Sequence, residues 1–585
     1  MRATFLANLC AGAFLTLCAP AVATAADTGL LELQNTILNL VDELVGQGVL
    51  TPERAAQIKS QAALKAREQA AQAAIAEGRA QEPARPAAAG VDVIRVPYVP
   101  EFVKDEIRAE LREELKADVT ADVVSVAKAE KWGTPDALPE WMSKVELFGE
   151  LRLRALGVLQ DPGNSQTIPD FLAINQAGGA LAAGDNVFFR TTEDTFVGQL
   201  RLRTGLIANV TDDLRIVTRL ATGNLQRVTS RNQRLGTYNA PFEINLDLAY
   251  FEWRPRTSVE RNGFDLRRGR QLGENIGDAI FRLPPAGWDV RAGRMLNPFF
   301  ISTNLVFDED ITYDGVSAGY RWNELGGSDH ALFVNGGGFL LLSEEENAID
   351  GGTDVKYWWG GQLGLDFLIR DDLHLIVSGA YYDFVNVTGE RNEFNSTSKD
   401  WTAPQFLQRG NTYFDIRNDL DPNTQLFALA SEFTLVNAGF LLDYSGFGPV
   451  HVTLRGDYVN NIGFDSADVA ARVGVPVSRR NQGWMTRLEV GAPLVRRPGD
   501  WQLFASYQSL QRDAILDSYA DSVFHGGGTD AKGWIAGGSW AIWDNVWMRA
   551  RWMGADEIDG APAGFAEPFT PLAVDILQVD FSAQF

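Results

Sequence analysis

Leu577-Gln-Val-Asp-Phe-Ser-Ala-Gln-Phe585 alternates without a fault. Leu577, Val579, Phe581, Ala583 and Phe585 are apolar, and Gln578, Asp580, Ser582 and Gln584 between them are polar. A period of two belongs to a strand with one greasy face and one wet face. A soluble sandwich could use such a strand at an edge. A closed membrane barrel needs one, because pairing the last strand with the first removes both sheet edges. The rest of the chain decides between these two uses.

Composition narrows the choice. The chain has 585 residues and a formal net charge of -24, which argues against a nucleic-acid partner. Mean hydropathy is -0.12, a value that looks soluble. Alternating strands cancel in such an average, so it does not count against a barrel. The 56 glycines, 15 tryptophans and 33 phenylalanines suit turns and interfacial aromatic girdles. Arg2, the apolar stretch from Phe5 to Val22 and Ala23-Thr24-Ala25 form the pattern of a secretory signal over residues 1–25. Cys10 and Cys18 are the chain's two cysteines, so a cleaved chain would hold neither a disulfide nor a thiol. Beyond the signal no run of 18 apolar residues occurs, so a membrane-spanning form must be a barrel.

Residues 26–80 read as a periplasmic helical region. Leu30, Leu33, Ile37, Leu40 and Leu44 recur at spacings of three and four, a coiled-coil seam of two heptads. Gly46-Gln-Gly48 breaks it, and Thr51-Pro52 caps a second helix. A Pro/Ala-rich linker covers 81–100, and a helix with its connection covers 101–143, striped by Ile107, Leu111, Leu115, Val119 and Val123. Seams this narrow do not build a monomeric core. They suit either bundling with copies from neighbouring subunits, as in a homotrimer, or a hairpin packed on a barrel mouth.

From Lys144 to the end the period is two. The pattern places strands near 144–156, 199–204, 214–220, 243–254, 288–295, 311–322, 329–341, 356–369, 372–386, 425–435, 449–461, 482–492, 500–511, 531–543, 545–554 and 573–585. Short turns alternate with long loops near 160–195, 224–242, 342–355, 387–424, 462–481, 512–530 and 555–572. Short turns on one rim and long loops on the other are the mark of an outer-membrane barrel. The expected fold is therefore an all-β membrane barrel over 144–585, of roughly sixteen antiparallel strands, with an N-terminal α-helical coiled-coil region. Two stretches disturb the count: 255–287, with a possible strand at 264–270, and 436–448, too long for a clean turn. The closing strand should pair with Lys144–Leu156, turning Leu577, Phe581 and Phe585 to lipid and Asp580 and Gln584 inward.

Several stretches resemble a known family. Arg95-Val-Pro-Tyr-Val-Pro-Glu101, Gly133-Thr-Pro-Asp-Ala-Leu-Pro-Glu-Trp141, Gly149-Glu-Leu-Arg-Leu-Arg154, Ala292-Gly-Arg-Met-Leu-Asn-Pro-Phe-Phe300, Asp308-Glu-Asp310 and Gly315 look like the putative porins of proteobacterial outer membranes. The resemblance covers essentially the whole mature chain, with 255–287 as an insertion. It implies a trimeric, general-diffusion-like channel with the N-terminal helices as an oligomerising coiled coil. A terminal strand ending in Phe resembles the signal that outer-membrane barrels present to the assembly machinery, here Leu577, Val579, Phe581 and Phe585.

The resemblance supplies no pore chemistry, so the lining is argued from residues. Arg152, Arg154, Arg201, Arg203, Arg215 and Arg219 lie on the polar faces of the first three strands. Facing lipid at mid-bilayer, each would cost about 2–4 kcal/mol; facing a wet lumen, none would. Asp308, Glu309 and Asp310 lie where the third long connection should be; the resemblance to trimeric porins implies that this connection folds inside the barrel as a constriction loop. A basic wall against an acidic loop sets up a transverse field that favours polar solutes. The alternative is that the arginines pair with Glu146, Glu150 or other nearby carboxylates and that the three acids form a solvated rim. Glu344-Glu-Glu346, Asp350 and Asp354 are an acidic outer loop. It either bridges to lipopolysaccharide phosphates through divalent cations or is merely solvated. The four histidines, His330, His374, His451 and His525, show no nucleophile motif or metal spacing. No enzyme, cofactor or metal site is expected.

The function these features point to is passive diffusion of small hydrophilic solutes or ions across the outer membrane, among its lipid and lipopolysaccharide. The alternatives are an envelope tether, whose periplasmic helices contact a partner or peptidoglycan, and a substrate-specific channel.

Overall fold

The computed structural model describes residues 144–223, 228–255, 286–323, 325, 330–343, 355–421, 423–559 and 571–585. The signal segment 1–25, the Leu30–Leu44 seam, the linker 81–100, the helix of 101–143, the 264–270 strand and the acids Glu344–Glu346, Asp350 and Asp354 lie outside the described residues.

Sixteen antiparallel strands form one closed ring. In chain order they are β1 (Val145–Gln160), β2 (Thr195–Asn209), β3 (Leu214–Thr222), β4 (Ile244–Trp253), β5 (Gly287–Leu296), β6 (Thr312–Trp322), β7 (Ala331–Leu342) and β8 (Lys356–Arg370). The ring continues through β9 (Leu373–Val385), β10 (Phe433–Phe447), β11 (Val450–Asn461), β12 (Gln482–Gly491), β13 (Trp501–Leu510), β14 (Ala531–Trp543), β15 (Val546–Glu557) and β16 (Ala573–Gln584). Each pairs with its neighbour in sequence, and β16 returns to β1. The stretch 255–287 does not alter the count, because β4 pairs directly with β5, Ala249 opposite Arg294.

The closing pair is set higher on β1 than the sequence pattern suggested. It runs from Glu150–Gln584 to Gln160–Val574 rather than along Lys144–Leu156. Two backbone hydrogen bonds between Gly149 and Phe585 lock its lower end. Gly149 has no side chain for a reason: a Cβ there would meet the Phe585 ring at 2.4 Å. The same fit of a ring over a cross-strand glycine recurs at Gly205 with Phe148 and at Gly364 with Phe333, a form of aromatic rescue.

A second correction concerns 425–448. The expected strand at 425–435 splits: Phe427–Leu429 pairs with Tyr413–Asp415 outside the ring, and 433–435 are the first residues of β10. The expected turn at 436–448 is the body of β10. The long connection is thus 386–432. Both faces of β10 carry apolar residues at its upper end: Phe433 and Leu435 are buried inward, while Val436 is exposed outward. That erases the period the sequence reading relied on.

Faces alternate as a barrel requires. On β1, Leu151 and Leu153 are exposed while Glu150, Arg152 and Arg154 are buried. On β16, Val579, Phe581 and Phe585 are exposed, Leu577 is half-buried, and Gln578, Asp580 and Ser582 are buried. Outward aromatics collect near both ends of the strands: Trp253, Trp288, Trp322, Trp501 and Trp543 at the rim that holds the chain's C-terminus, and Phe196, Trp359, Trp484, Trp534 and Trp552 towards the long loops. Two such girdles flanking an apolar band are what membrane interfaces select.

The interior is uneven. Phe299, Phe307, Tyr313, Phe339, Trp358, Tyr382, Phe384 and Tyr519 are buried and mutually packed, with ring centroids 4.3–6.3 Å apart. Four of these eight come from loops or β6, and four from β7–β9. Aromatic packing therefore fills the β6–β9 side. The opposite side, around β1, β2, β15 and β16, buries Arg152, Arg154, Arg201, Gln578 and Asp580, while Met553, Ala555, Val574 and Ile576 nearer the long loops join the apolar cluster.

Candidate functional site

Segment 297–311, between β5 and β6, touches several walls in turn. Phe300 exchanges hydrogen bonds with Gln362 on β8: its N–H donates to the Gln362 oxygen (2.8 Å), and Gln362 donates to its carbonyl (2.7 Å). Ser302 donates to the Gly456 carbonyl on β11 (2.8 Å), and Thr303 donates to Asp457 beside it (3.3 Å). The chain then turns back. Asn304 donates to Asp521, and the Asp308 N–H donates to the Tyr519 carbonyl (2.8 Å), both in the 511–530 loop. Asp310 finally accepts from Arg201 (2.9 Å) and Arg203 (2.6 Å) on β2.

The three acids of this segment have different surroundings. Asp308 accepts from the N–H groups of Asp310 (2.8 Å) and Ser522 (2.9 Å), so it fixes the loop. Burial, with Asp310 close by, pushes its carboxyl well above the usual range. Asp310 is opposed by burial but held well below that range by Arg203 and Arg201. Glu309 is half-buried between them and lines an opening.

Of the six arginines expected on the basic wall, five are buried. Arg201 bridges Asp310 and Glu150, and Arg203 reaches Asp310 and, at 3.9 Å, Asp247. Arg219 donates to Asp247 and Arg215 to Glu252, so these two are met by strand carboxylates rather than by the 308–310 acids. Arg152 and Arg154 face the opening. Arg154 is bidentate to Asp580 (2.7 and 3.0 Å), and Arg152 donates to Asn232 (2.8 Å).

Asp247 reaches its place by a register fault. Arg219 stands opposite Leu248 and Leu220 opposite Leu246, so Asp247 is the extra residue of a bulge. Bulges re-aim side chains. This one turns the Asp247 carboxylate inward, where it also accepts from Arg231 (2.7 Å).

The opening is a cavity of about 40 Å³, room for roughly three waters. Arg152, Arg154, Arg487, Arg549 and Arg551 line it, with Glu309, Asp521 and Asn304 among the groups from the inward loops. Sequence reading missed Arg487 on β12 and Arg549 and Arg551 on β15. The signal was present: Met548, Ala550 and Trp552 alternate with both β15 arginines, as the leucines do on β1. Arg487 lies over the Phe504 ring, 4.1 Å from its centroid, and donates to Glu489 (2.6 Å). Among the described residues no group of histidine, cysteine or carboxylate side chains is arranged to hold a metal ion.

A family model described as "Putative porin" matches residues 34–273 and 285–585. A comparison with curated proteins found no match. Among solved structures, Pseudomonas putida OprB at high pH is similar at 10% identity and a TM-score of 0.38, over 76% of this chain and 96% of that one. The outer membrane channel DcaP of Acinetobacter baumannii is similar at 10% identity and 0.35, over 75% and 97%. Salmonella typhi OmpF, in complex with daunomycin, is similar at 9% and 0.35, over 75% and 97%.

Proposed function

The chain belongs to the putative porin family, and from that premise we propose that this outer-membrane diffusion channel passes small hydrophilic solutes through a water-filled lumen narrowed by segment 297–311. The observation that carries the reading is the opening between Glu309 on that segment and the arginines of β1, β12 and β15. Opposed charges across a narrow, wet gap orient dipolar solutes and penalise apolar ones, whose hydration must be stripped. Arg201 and Arg203 hold the segment to β2 through Asp310, so the narrowing is a fixed part of the wall. The protein works as a homotrimer whose narrow N-terminal seams bury one another; the Leu30–Leu44 spacing supports that arrangement.

The test is conductance of the purified full chain in planar bilayers. Stepwise, ohmic current is expected. A folded protein that never conducts would overturn the channel reading and favour an envelope tether. Deleting residues 27–131 should yield barrels that still conduct but migrate as monomers. Persistence of the trimer would remove the helices from assembly.

A further inference from the structure

The opening holds five guanidiniums, and they are not equivalent. Arg154 and Arg487 are met by carboxylates, Asp580 and Glu489. Arg152 and Arg551 are instead held by amide oxygens: Arg152 donates to Asn232 (2.8 Å) and Arg551 to Gln578 (2.9 Å). Both amides are themselves oriented. The Asn232 nitrogen donates to Ser230 (3.1 Å), and the Gln578 nitrogen donates to Asp580 (2.6 Å), so each presents its oxygen to the arginine. The Nε of Arg152 and that of Arg551 are buried without a hydrogen-bond partner. Arg152 is only 5% exposed.

Elsewhere on the inner wall the pattern is different. Arg219, Arg291 and Arg321 are matched by Asp247, Asp289 and Asp366. A carboxylate neutralises a guanidinium; an amide oxygen fixes its direction and leaves its charge in place. Asp580 and Asp310 act on Arg152, and Asp521, Asp580 and Glu309 on Arg551, through space rather than by a direct ion pair, so each guanidinium keeps a face that a visiting anion can meet. The carboxylates across the gap are occupied: Asp310 by two arginines, Asp521 by Asn304 and by the N–H groups of Val523 (2.7 Å) and Phe524 (3.0 Å).

We propose that Arg152 and Arg551 form an oxyanion-binding station in the constriction, which makes the channel prefer small solutes bearing a carboxylate or phosphate. This deepens the channel reading and rests on it. Glu309, on the opposite side, sets an upper limit on how much negative charge the gap accepts, so singly charged anions should pass better than highly charged ones.

The test uses the full chain in planar bilayers under a KCl gradient, with inorganic phosphate and succinate added in separate arms. Wild type should favour chloride over potassium, and each added anion should block current saturably. The variant R152Q/R551Q should move the reversal potential towards cations and weaken block by roughly tenfold or more. Asn232→Asp, which hands Arg152 a carboxylate in nearly the same shape, should shift selectivity the same way with little risk to folding. Block by one anion alone would assign the station to that class. Unchanged reversal potential and unchanged block in both variants would overturn the proposal. Titration calorimetry of phosphate into detergent-solubilised protein gives a readout that does not depend on conduction. Binding lost in R152Q/R551Q supports the station even if no current is seen, in which case the channel reading alone fails. Absence of binding to wild type together with absence of anion preference removes the station.

Discussion

At the scale of single residues, closure depends on an absence. The Phe585 ring occupies the space a side chain at Gly149 would need, 2.4 Å from an ideal Cβ. Gly149→Val should therefore force the terminal ring off the wall and destabilise the folded barrel by about 1–3 kcal/mol, the usual cost of overpacking. Heat-modifiable gel migration checks it: the variant should unfold at lower temperature than wild type, and Gly149→Ala should fall between them. Equal midpoints for all three would show that the ring has room to move. The alternation in Leu577–Phe585 made the closing strand readable, yet nothing in the letters says that Phe585 lies over Gly149. Asp247 is a similar case. Strict alternation gives each residue one face, and a bulge breaks that rule with no sequence mark of its own. The carboxylate that gathers Arg203, Arg219 and Arg231 was therefore invisible to a period-two reading.

At the scale of elements, strands with one wet and one greasy face were legible; β8 and β9, with rings on both faces near the long loops, were read as well, and β10 was not. β1, β2, β15 and β16 alternate where their inner residues, such as Arg152, Arg201, Arg551 and Asp580, meet the polar part of the lumen. β10 loses the pattern where Phe433 and Leu435 pack against the inward loops. Those loops are tied to one another by buried carboxyls. Asp513 accepts from Thr412 N–H (2.8 Å) and hydroxyl (2.6 Å), and Asp517 accepts from Gln408 N–H (2.9 Å) and from the Tyr413 hydroxyl. Burial pushes both carboxyls up to about 6, against those hydrogen bonds. In an unfolded chain they would titrate near 3.9. Between those values the folded loops bind more protons than the unfolded chain, so stability falls as pH rises. The tie is complete below about 4 and loses on the order of 2–3 kcal/mol per group once pH passes 6. Hydrogen exchange at Gln408 and Thr412, corrected for intrinsic rates, should show protection declining from pH 5 to 7.5. Asp513→Asn with Asp517→Asn should flatten that decline. A pH-independent wild type would mean that the folded carboxyls titrate normally.

At the scale of the molecule, the lumen is divided between two kinds of packing. The β6–β9 side is closed by buried rings, while the β15–β2 side carries oriented charge and the opening. Sixteen strands and their rims could be read from turn and loop lengths. The division could not, because it arises from loops packing across the ring, between residues hundreds of positions apart. It makes a definite claim about the route of solutes: they should travel along the arginine side only. The chain's only cysteines are Cys10 and Cys18, so replacing both with serine leaves a background without thiols. On it, Arg551→Cys places a thiol at the opening, and Ala380→Cys places one on the inner face of β9 among the packed rings. A small charged methanethiosulfonate reagent should modify position 551 quickly and change the current as it does so. Position 380 should react much more slowly and leave the current as it was, since reaching it requires opening an aromatic core held together by many close contacts. Fast modification at 380 with a matching change in current would mean that the rings part in the conducting state, and the route would then have to be redrawn through the β6–β9 side.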